Sequence, residues 1–261
     1  MRPLSPTLKR LLTRPQGLGR TLVICDFDGT LVPIKKHARL VRLPPTVKDL
    51  LRSLARKTDT TIFILSGRKL SDLQRHIGLK ELIYGGNHGL EIVGHGMDYH
   101  HQGIKPARHH IAVLSRKLKR KIAHNPALAG CWIEDKTFSL SIHFRQAAGS
   151  SETILGTLIR SAIADCKTRM KILKGKKVFD IIPALGWDKG RAVKHVLSRS
   201  SRFDTIFCFG DDTTDEYMFA AVGRRALSVS VGSRIGSKAS YHVDSTKAVI
   251  QVLRSLNRVK T

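Results

Sequence analysis

Asp26 and Asp28 stand two residues apart where the apolar run Leu22-Val23-Ile24-Cys25 gives way to Phe27, Gly29 and Thr30. Two carboxylates so placed can divide a phosphoryl transfer between them, one attacking phosphorus and the other carrying the proton. Gly29 permits a tight reversal behind them. Because anions repel an incoming phosphate, such a pair requires a hard cation held by oxygen ligands. Three further polar groups follow in chain order. Ser66 closes the apolar run Thr61-Ile62-Phe63-Ile64-Leu65, where it is placed to cap the next helix and to offer a hydroxyl and amides to an anion. Lys189 lies near the start of a helical pattern, and Asp211, Asp212, Asp215 and Glu216 follow the apolar run Thr205-Ile206-Phe207-Cys208-Phe209. Each alone has a plain structural explanation: an N-cap, a solvated lysine, an acidic helix start favoured by the helix dipole. Their succession at strand ends joins them in one site.

The Asp26-x-Asp28-Gly29-Thr30 stretch resembles the signature of the haloacid dehalogenase-like phosphatases. A narrower resemblance, over about residues 20–245, rests on Gly85-Gly86-Asn87-His88-Gly89-Leu90-Glu91, Glu134-x-Lys136, His143-Phe144-Arg145-Gln146, Val178-x-Asp180-x-Ile182-Pro183, Lys189-Gly190 and Gly210-Asp211-Asp212-x-Thr214-Asp215-Glu216. These are similar to motifs of the trehalose-6-phosphate phosphatases. Two positions depart, Asp180 standing for the family's Glu and Ile182 for its basic residue. The resemblance implies Asp26 as nucleophile, through an aspartyl-phosphate, and Asp28 as acid and base. It implies Mg²⁺ on the Asp26 carboxylate, the Asp28 backbone carbonyl and Asp211, with Asp215 and Asp212 in support. Ser66 and Lys189 would hold the phosphoryl oxygens, and Asn87, His88, Glu134, Lys136, Arg145 and Asp180 would contact the sugar. Hydrolysis of trehalose 6-phosphate is the implied activity. Another sugar phosphate is the alternative, and a basic nucleic-acid-binding or partner-binding protein on a retired phosphatase scaffold is the reading from a different class.

The elements that must position these residues alternate. Strand-like runs at 22–25, 61–65, 205–209 and 226–231 alternate with helical periodicity at 46–56, 69–76, 188–199 and 246–256, which predicts an α/β fold with a Rossmann-like, doubly wound parallel sheet. Between about 104 and 183 the character changes. Pro106 and a His-rich stretch mark a linker, a basic helix follows at 109–123, residues 131–145 read as a hairpin, a second helix spans 151–166, and one strand runs through 176–182. The catalytic core is thus expected at 1–103 and 184–261, residues 104–183 forming an inserted α+β cap domain. In the hairpin, Phe138, Leu140, Ile142 and Phe144 alternate with Ser139, Ser141, His143 and Arg145, a half-buried strand whose polar face is expected to look into the cleft. Trp132 shares the opposite arm with Glu134 and Lys136, so a ring and a charged pair could meet a sugar.

At 261 residues with 41% hydrophobic content, the chain can bury one core with a modest insertion. No apolar run reaches the ~18 residues of a membrane span. Residues 1–20 carry five cations and no acid, as a basic leader helix or an organelle-targeting segment would. The four cysteines lack metal or redox spacing, which suits reduced thiols in a cytoplasmic compartment. The pairs His100-His101 and His109-His110 have no thiol or carboxylate at ligand spacing and read as solvated residues. A formal charge of +26, with a concentration at Arg116-Lys117-Leu118-Lys119-Arg120-Lys121, would speed encounter with phosphorylated molecules and attract nucleic acid only nonspecifically. A monomer is expected.

Overall fold

The computed structural model describes residues 2–3, 18–35, 40–232 and 235–259, so the leader expected at 1–20 lies outside the described residues except for 2–3 and 18–20. The chain divides into two compact units, Met1–Tyr99 with Asp188–Thr261, and His100–Trp187.

The first unit carries a nine-stranded sheet. Its strands are β1 (Arg2–Pro3), β2 (Thr21–Cys25), β3 (Thr60–Leu65), β4 (Ile83–Gly86), β5 (Glu91–Gly94) and β6 (Met97–His100), then, after the second unit, β11 (Thr205–Gly210), β12 (Ala226–Val231) and β13 (Tyr241–Val243). The sheet order is β1-β13-β12-β11-β2-β3-β4-β5-β6. Strands from β1 across to β4 pair in parallel, and β5 returns antiparallel to β4. β2 is buried along its whole length, as a central parallel strand covered on both faces must be. Helices α1 (Pro45–Ala55), α2 (Leu70–Ile77), α5 (Lys189–Arg199), α6 (Asp215–Val222) and α7 (Thr246–Arg258) belong to this unit. Leu50, Leu51 and Leu54 of α1 and Val249, Leu253 and Leu256 of α7 pack with Val23, Ile62 and Phe207 of the sheet in one core. The expected doubly wound sheet is present. From β2 the chain steps to β3 on one side, and it later returns to β11 on the other. That reversal opens a crevice at the carboxyl ends of β2 and β11, the place where open α/β sheets bind ligands.

The second unit is a four-stranded antiparallel sheet, β7 (Trp132–Asp135), β8 (Leu140–His143), β9 (Met170–Gly175) and β10 (Val178–Pro183), in the order β7-β8-β10-β9, with helices α3 (Ile104–Ala123) and α4 (Ser151–Ala164). Its own core joins Ile111, Leu114 and Leu118 to Leu155, Ile159, Leu140, Ile142, Phe179 and Ile181.

Local expectations need correction here. The single strand expected at 176–182 is a hairpin, β9 and β10, turning at Lys176 and Lys177, the latter at φ 64°. Lysines at 171, 174, 176 and 177 hide the apolar alternation of β9, an edge strand. Pro106 lies inside the first turn of α3, not in a linker, because the amide that proline lacks has no intrahelical partner there. The face of β8 expected to be polar and open is closed only in part: Ser139 and Ser141 are as buried as Leu140 and Ile142, while His143 is half-buried and Arg145 exposed. Ser141 sits between Glu134 and Asp180 on the neighbouring strands, and its hydroxyl donates to Asp180. His110 is half-buried, its Nδ1 lying 2.8 Å from the Thr168 hydroxyl.

Candidate active site

Register brings the carboxylates together. Cys25 pairs with Phe209, so both strands end at one level, and the Asp26 amide donates to the Phe209 carbonyl at 3.0 Å. Asp26 thereby stands beside Gly210 and Asp211. Beyond it the chain folds back, the Leu31 and Val32 amides donating to the Phe27 carbonyl and the Gly29 amide to the Val32 carbonyl. Gly29 has φ 90°, and a Cβ there would lie 2.2 Å from Asp211 Oδ2, so only glycine serves both the turn and the approach of Asp211. After β11, Asp215 opens α6 and its Oδ2 accepts from the amides of Asp211 (2.8 Å) and Asp212 (2.9 Å).

Lys189 is the first residue of α5, entered through Asp188, whose side chain accepts from the Arg191 amide at 2.9 Å. Its Nζ donates to Asp26 Oδ1 and to Asp215 Oδ1, each at 2.7 Å, and all three side chains are less than a tenth exposed. Three carboxylates, Asp26, Asp211 and Asp215, have oxygens within 4.8 Å of one another. One ammonium therefore faces three buried carboxyl groups. Burial drives the Asp26 pKa well above the usual carboxylate range; Lys189 opposes the shift, while Asp215 and Asp211 add to it. Burial also works against the Lys189 charge, but Asp215 and Asp26 outweigh it and raise the Lys189 pKa above the ordinary lysine value. This hard, oxygen-only donor set with surplus negative charge, in a space that Gly29 keeps free of a Cβ, suits a divalent cation of the Mg²⁺ or Ca²⁺ kind.

Asp28 points elsewhere. Both its oxygens are taken by Arg68, from Nε at 2.5 Å and Nη2 at 2.7 Å, and its carboxylate is outside the cluster. Arg68 also donates to Asp72 at 3.3 Å and lies over the Phe27 ring, its guanidinium carbon 5.3 Å from the centroid. It is 4% exposed. Sequence reasoning passed over Arg68, which the structure ties to the candidate residue Asp28. The signal open to the sequence is an arginine three residues past the end of β3, the strand beside the one that leads into Asp26 and Asp28.

Ser66 does not cap α2, as was expected. That helix begins at Leu70, with Lys69 at its cap, while the Ser66 hydroxyl accepts from the Arg68 amide at 3.2 Å. Three residues of Ser66-Gly67-Arg68-Lys69 precede the cap, so the serine stands free of the helix and at the strand end. Asn87 and His88 both have left-handed backbone, φ 49° and 59°, followed by Gly89 at 85°. Non-glycine residues held so are strained and cluster at functional sites. The strain is held by the Asn87 amide donating to the Arg68 carbonyl, the His88 amide donating to the Ser66 carbonyl, and Asn87 Nδ2 donating to Glu91 at 2.7 Å. The His88 ring packs over Gly67, where a Cβ would come within 2.8 Å of it. The structure thus joins Asp26, Asp211, Asp215 and Lys189 directly, and ties Asn87 and His88 to the loop carrying Ser66 and Arg68.

The other candidates lie on the second unit. Lys136 Nζ is 3.4 Å from Asp180 Oδ1, which also accepts from Ser141. Glu134 Oε2 is 2.9 Å from His143 Nε2, and Trp132 stacks on the His143 ring with centroids 4.0 Å apart. Trp132, Glu134, Ser141, His143 and Asp180 occupy one face of the sheet, opposite the face that packs on α3 and α4. Arg145 lies apart from them, donating to the Lys176 carbonyl at 2.7 Å.

The family model described as Trehalose-phosphatase matches residues 24–251. Among curated proteins, the trehalose-phosphate phosphatase of Mycobacterium ulcerans (strain Agy99) is 30% identical over 233 residues, 87% of this chain and 58% of that protein. Trehalose-phosphate phosphatase B of Arabidopsis thaliana is 25% identical over 252 residues, 91% of this chain and 67% of that protein. The chain spans little more than half the length of several such relatives. Among solved structures, the C. albicans trehalose-6-phosphate phosphatase C-terminal domain has the same fold, with a TM-score of 0.80 at 20% identity, covering 99% of this chain and 98% of that one. A match over most of the chain, with the carboxylates and lysine gathered at the crossover of its sheet, places the chain in the trehalose-phosphatase family.

Proposed function

We propose that the protein hydrolyses trehalose 6-phosphate, and that the buried Asp26–Lys189–Asp215 arrangement in a chain of this family is the observation that carries the reading. Asp26 attacks phosphorus, forming an aspartyl-phosphate as the bond from phosphorus to the sugar oxygen breaks. Asp28 gives its proton to the departing alkoxide, then takes one from the water that attacks the aspartyl-phosphate and regenerates Asp26. Lys189 holds Asp26 Oδ1 and so orients the carboxylate for attack through its other oxygen. Ser66 and Lys189 hold phosphoryl oxygens as charge redistributes. Mg²⁺, held by Asp26, Asp211 and the Asp28 backbone carbonyl with Asp215 and Asp212 in support, would supply charge neutralisation for the phosphoryl group. Arg68 grips both Asp28 oxygens here, which leaves the carboxylate no place for a proton, so Asp28 must swing off the guanidinium and take a proton from water before it serves as the acid.

Sugar recognition is assigned to Asn87 and His88 of the first unit and to Glu134, Lys136, Arg145 and Asp180 of the second. A phosphate-release panel over sugar phosphates, with Mg²⁺ and with chelator, tests the reading: trehalose 6-phosphate should lead, and only with the cation. Asp180, one methylene shorter than glutamate, and Ile182, which carries no charge, favour a second outcome in which another sugar phosphate is preferred by tenfold or more.

A further inference from the structure

The chemistry proposed above leaves the +26 charge without a use, and one part of it is organised. No Asp or Glu occurs between Asp98 and Glu134. Within that span α3 buries Ile104, Ile111, Leu114, Leu118 and Ile122 and exposes Lys105, Arg108, Arg116, Lys119 and Arg120 on one side, with Lys121 exposed off that side. At about 100° per residue these five fall within an arc of about 120°, in a stripe roughly 22 Å long. None of the five has an acidic partner among the described residues, whereas Lys117, off the stripe, pairs with Asp165 at 2.5 Å.

Three polyanions could meet such a face, and the side chains choose between them. A membrane-surface helix keeps large apolar residues for the acyl boundary. Here they are inside, and Val113 is the large hydrophobic left exposed on α3. Single-stranded nucleic acid needs aromatic side chains on which bases stack, and α3 has no Phe, Tyr or Trp. The major groove of B-form DNA, about 12 Å wide, admits an α-helix, whereas the A-form groove of duplex RNA is too narrow for one. We infer that the exposed face of α3 is a docking surface for the phosphate backbone of duplex DNA, held by the count of cations along the stripe rather than by base sequence.

The test is the salt dependence of binding to a mixed-sequence DNA duplex of about 25 base pairs. Five phosphate contacts give a slope of about −4.5 in log affinity against log salt, a loss of roughly 500-fold between 50 and 200 mM. Replacing Arg108, Arg116, Lys119 and Arg120 by Gln should flatten the slope by about 3.6, leaving a loss of roughly fourfold over that range. A control with the same charge change elsewhere, Arg199, Arg202, Arg224 and Arg225 to Gln, should keep the wild-type slope. Circular dichroism checks folding; if the fourfold variant unfolds, the pair Arg116→Gln and Lys119→Gln should flatten the slope by about 1.8. Phosphate release should be unchanged in every variant, so failure of DNA binding is separable from failure of the catalytic reading. Equal flattening in the control would overturn the inference, since the attraction would then belong to the net charge. Tighter stripe-dependent binding of duplex RNA, polyglutamate or phosphatidylserine vesicles than of DNA would overturn it too.

Discussion

Replacing Lys189 by Met removes the cation that bridges Asp26 and Asp215 in a cluster of three buried carboxyl groups while roughly keeping the side chain's volume. The ammonium lies 2.7 Å from an oxygen of Asp26 and 2.7 Å from one of Asp215, and the three side chains are 3%, 7% and 0% exposed. Removing one partner of such a buried pair costs about 3–5 kcal/mol, which for a domain of this size corresponds to a fall in Tm of roughly 6–20 °C. The loss should depend on pH. The folded-state pKa of Asp26 lies above its unfolded value, so the stability it contributes is full below the ordinary carboxylate range and is lost as pH rises through the folded value. Lys189, also raised, keeps its contribution until pH passes the ordinary lysine value. Between those limits the wild-type ammonium offsets the negative charge that the carboxyl groups carry. In the variant nothing does, so the deficit in chelator should be larger at pH 8 than at pH 5. Added Mg²⁺ should recover more Tm in the variant than in the wild type, because binding to the native cluster then supplies the missing charge. Thermal melts at both pH values, with chelator and with a Mg²⁺ titration, make the measurement. A variant as stable as wild type in chelator, or equal Mg²⁺ gains in both proteins, would show that these groups do not share one charge balance.

Asp26→Asn should abolish turnover and leave the fold intact, and rapid-quench labelling should trap phosphate on Asp26 of the wild type; full activity of the variant refutes the nucleophile. Arg68→Lys keeps the charge but loses the fork that grips both Asp28 oxygens, so kcat should fall roughly 10- to 100-fold with KM little changed. The pH–rate profile should move with it, and an unmoved profile would reduce Arg68 to a packing role. Glu134→Ala and Lys136→Ala should cost far more with trehalose 6-phosphate than with p-nitrophenyl phosphate, since an unpaired polar site discriminates strongly; equal losses count against sugar reading by the second unit. Asp180→Glu should lower KM for trehalose 6-phosphate, and a raised KM would indicate that Lys136 and Ser141 already hold Asp180 at its working length.

What the sequence made legible, and what it hid, follow from the physics of each element. β2, β3 and β11 could be read because central parallel strands are continuous apolar runs, and Asp26 and Asp211 could be read because they stop those runs. Asp215 and Lys189 were in view as helix starts, but their mutual contact spans 26 residues of chain and depends on where two helices enter the crevice. Arg68 was hidden because an exposed and a buried arginine look alike in sequence; its burial follows from a partner 40 residues earlier. β9 was hidden by its lysines, and the early start of α3 by a proline that the first turn tolerates.

The insertion of one unit inside the other also sets an order of assembly during synthesis. Residues 21–99 leave the ribosome carrying Asp26, Asp28 and Ser66, but the edge of β2 that belongs to β11 has no partner until residues 205–210 are made. At about 5–20 residues per second, that interval is of the order of ten seconds. The second unit, contiguous in sequence and with a core of its own, can close during the wait. The nascent chain therefore carries a finished insert beside a half-sheet whose edge displays Thr21-Leu22-Val23-Ile24-Cys25. That edge, not the finished fold, is the aggregation-prone surface a chaperone would meet.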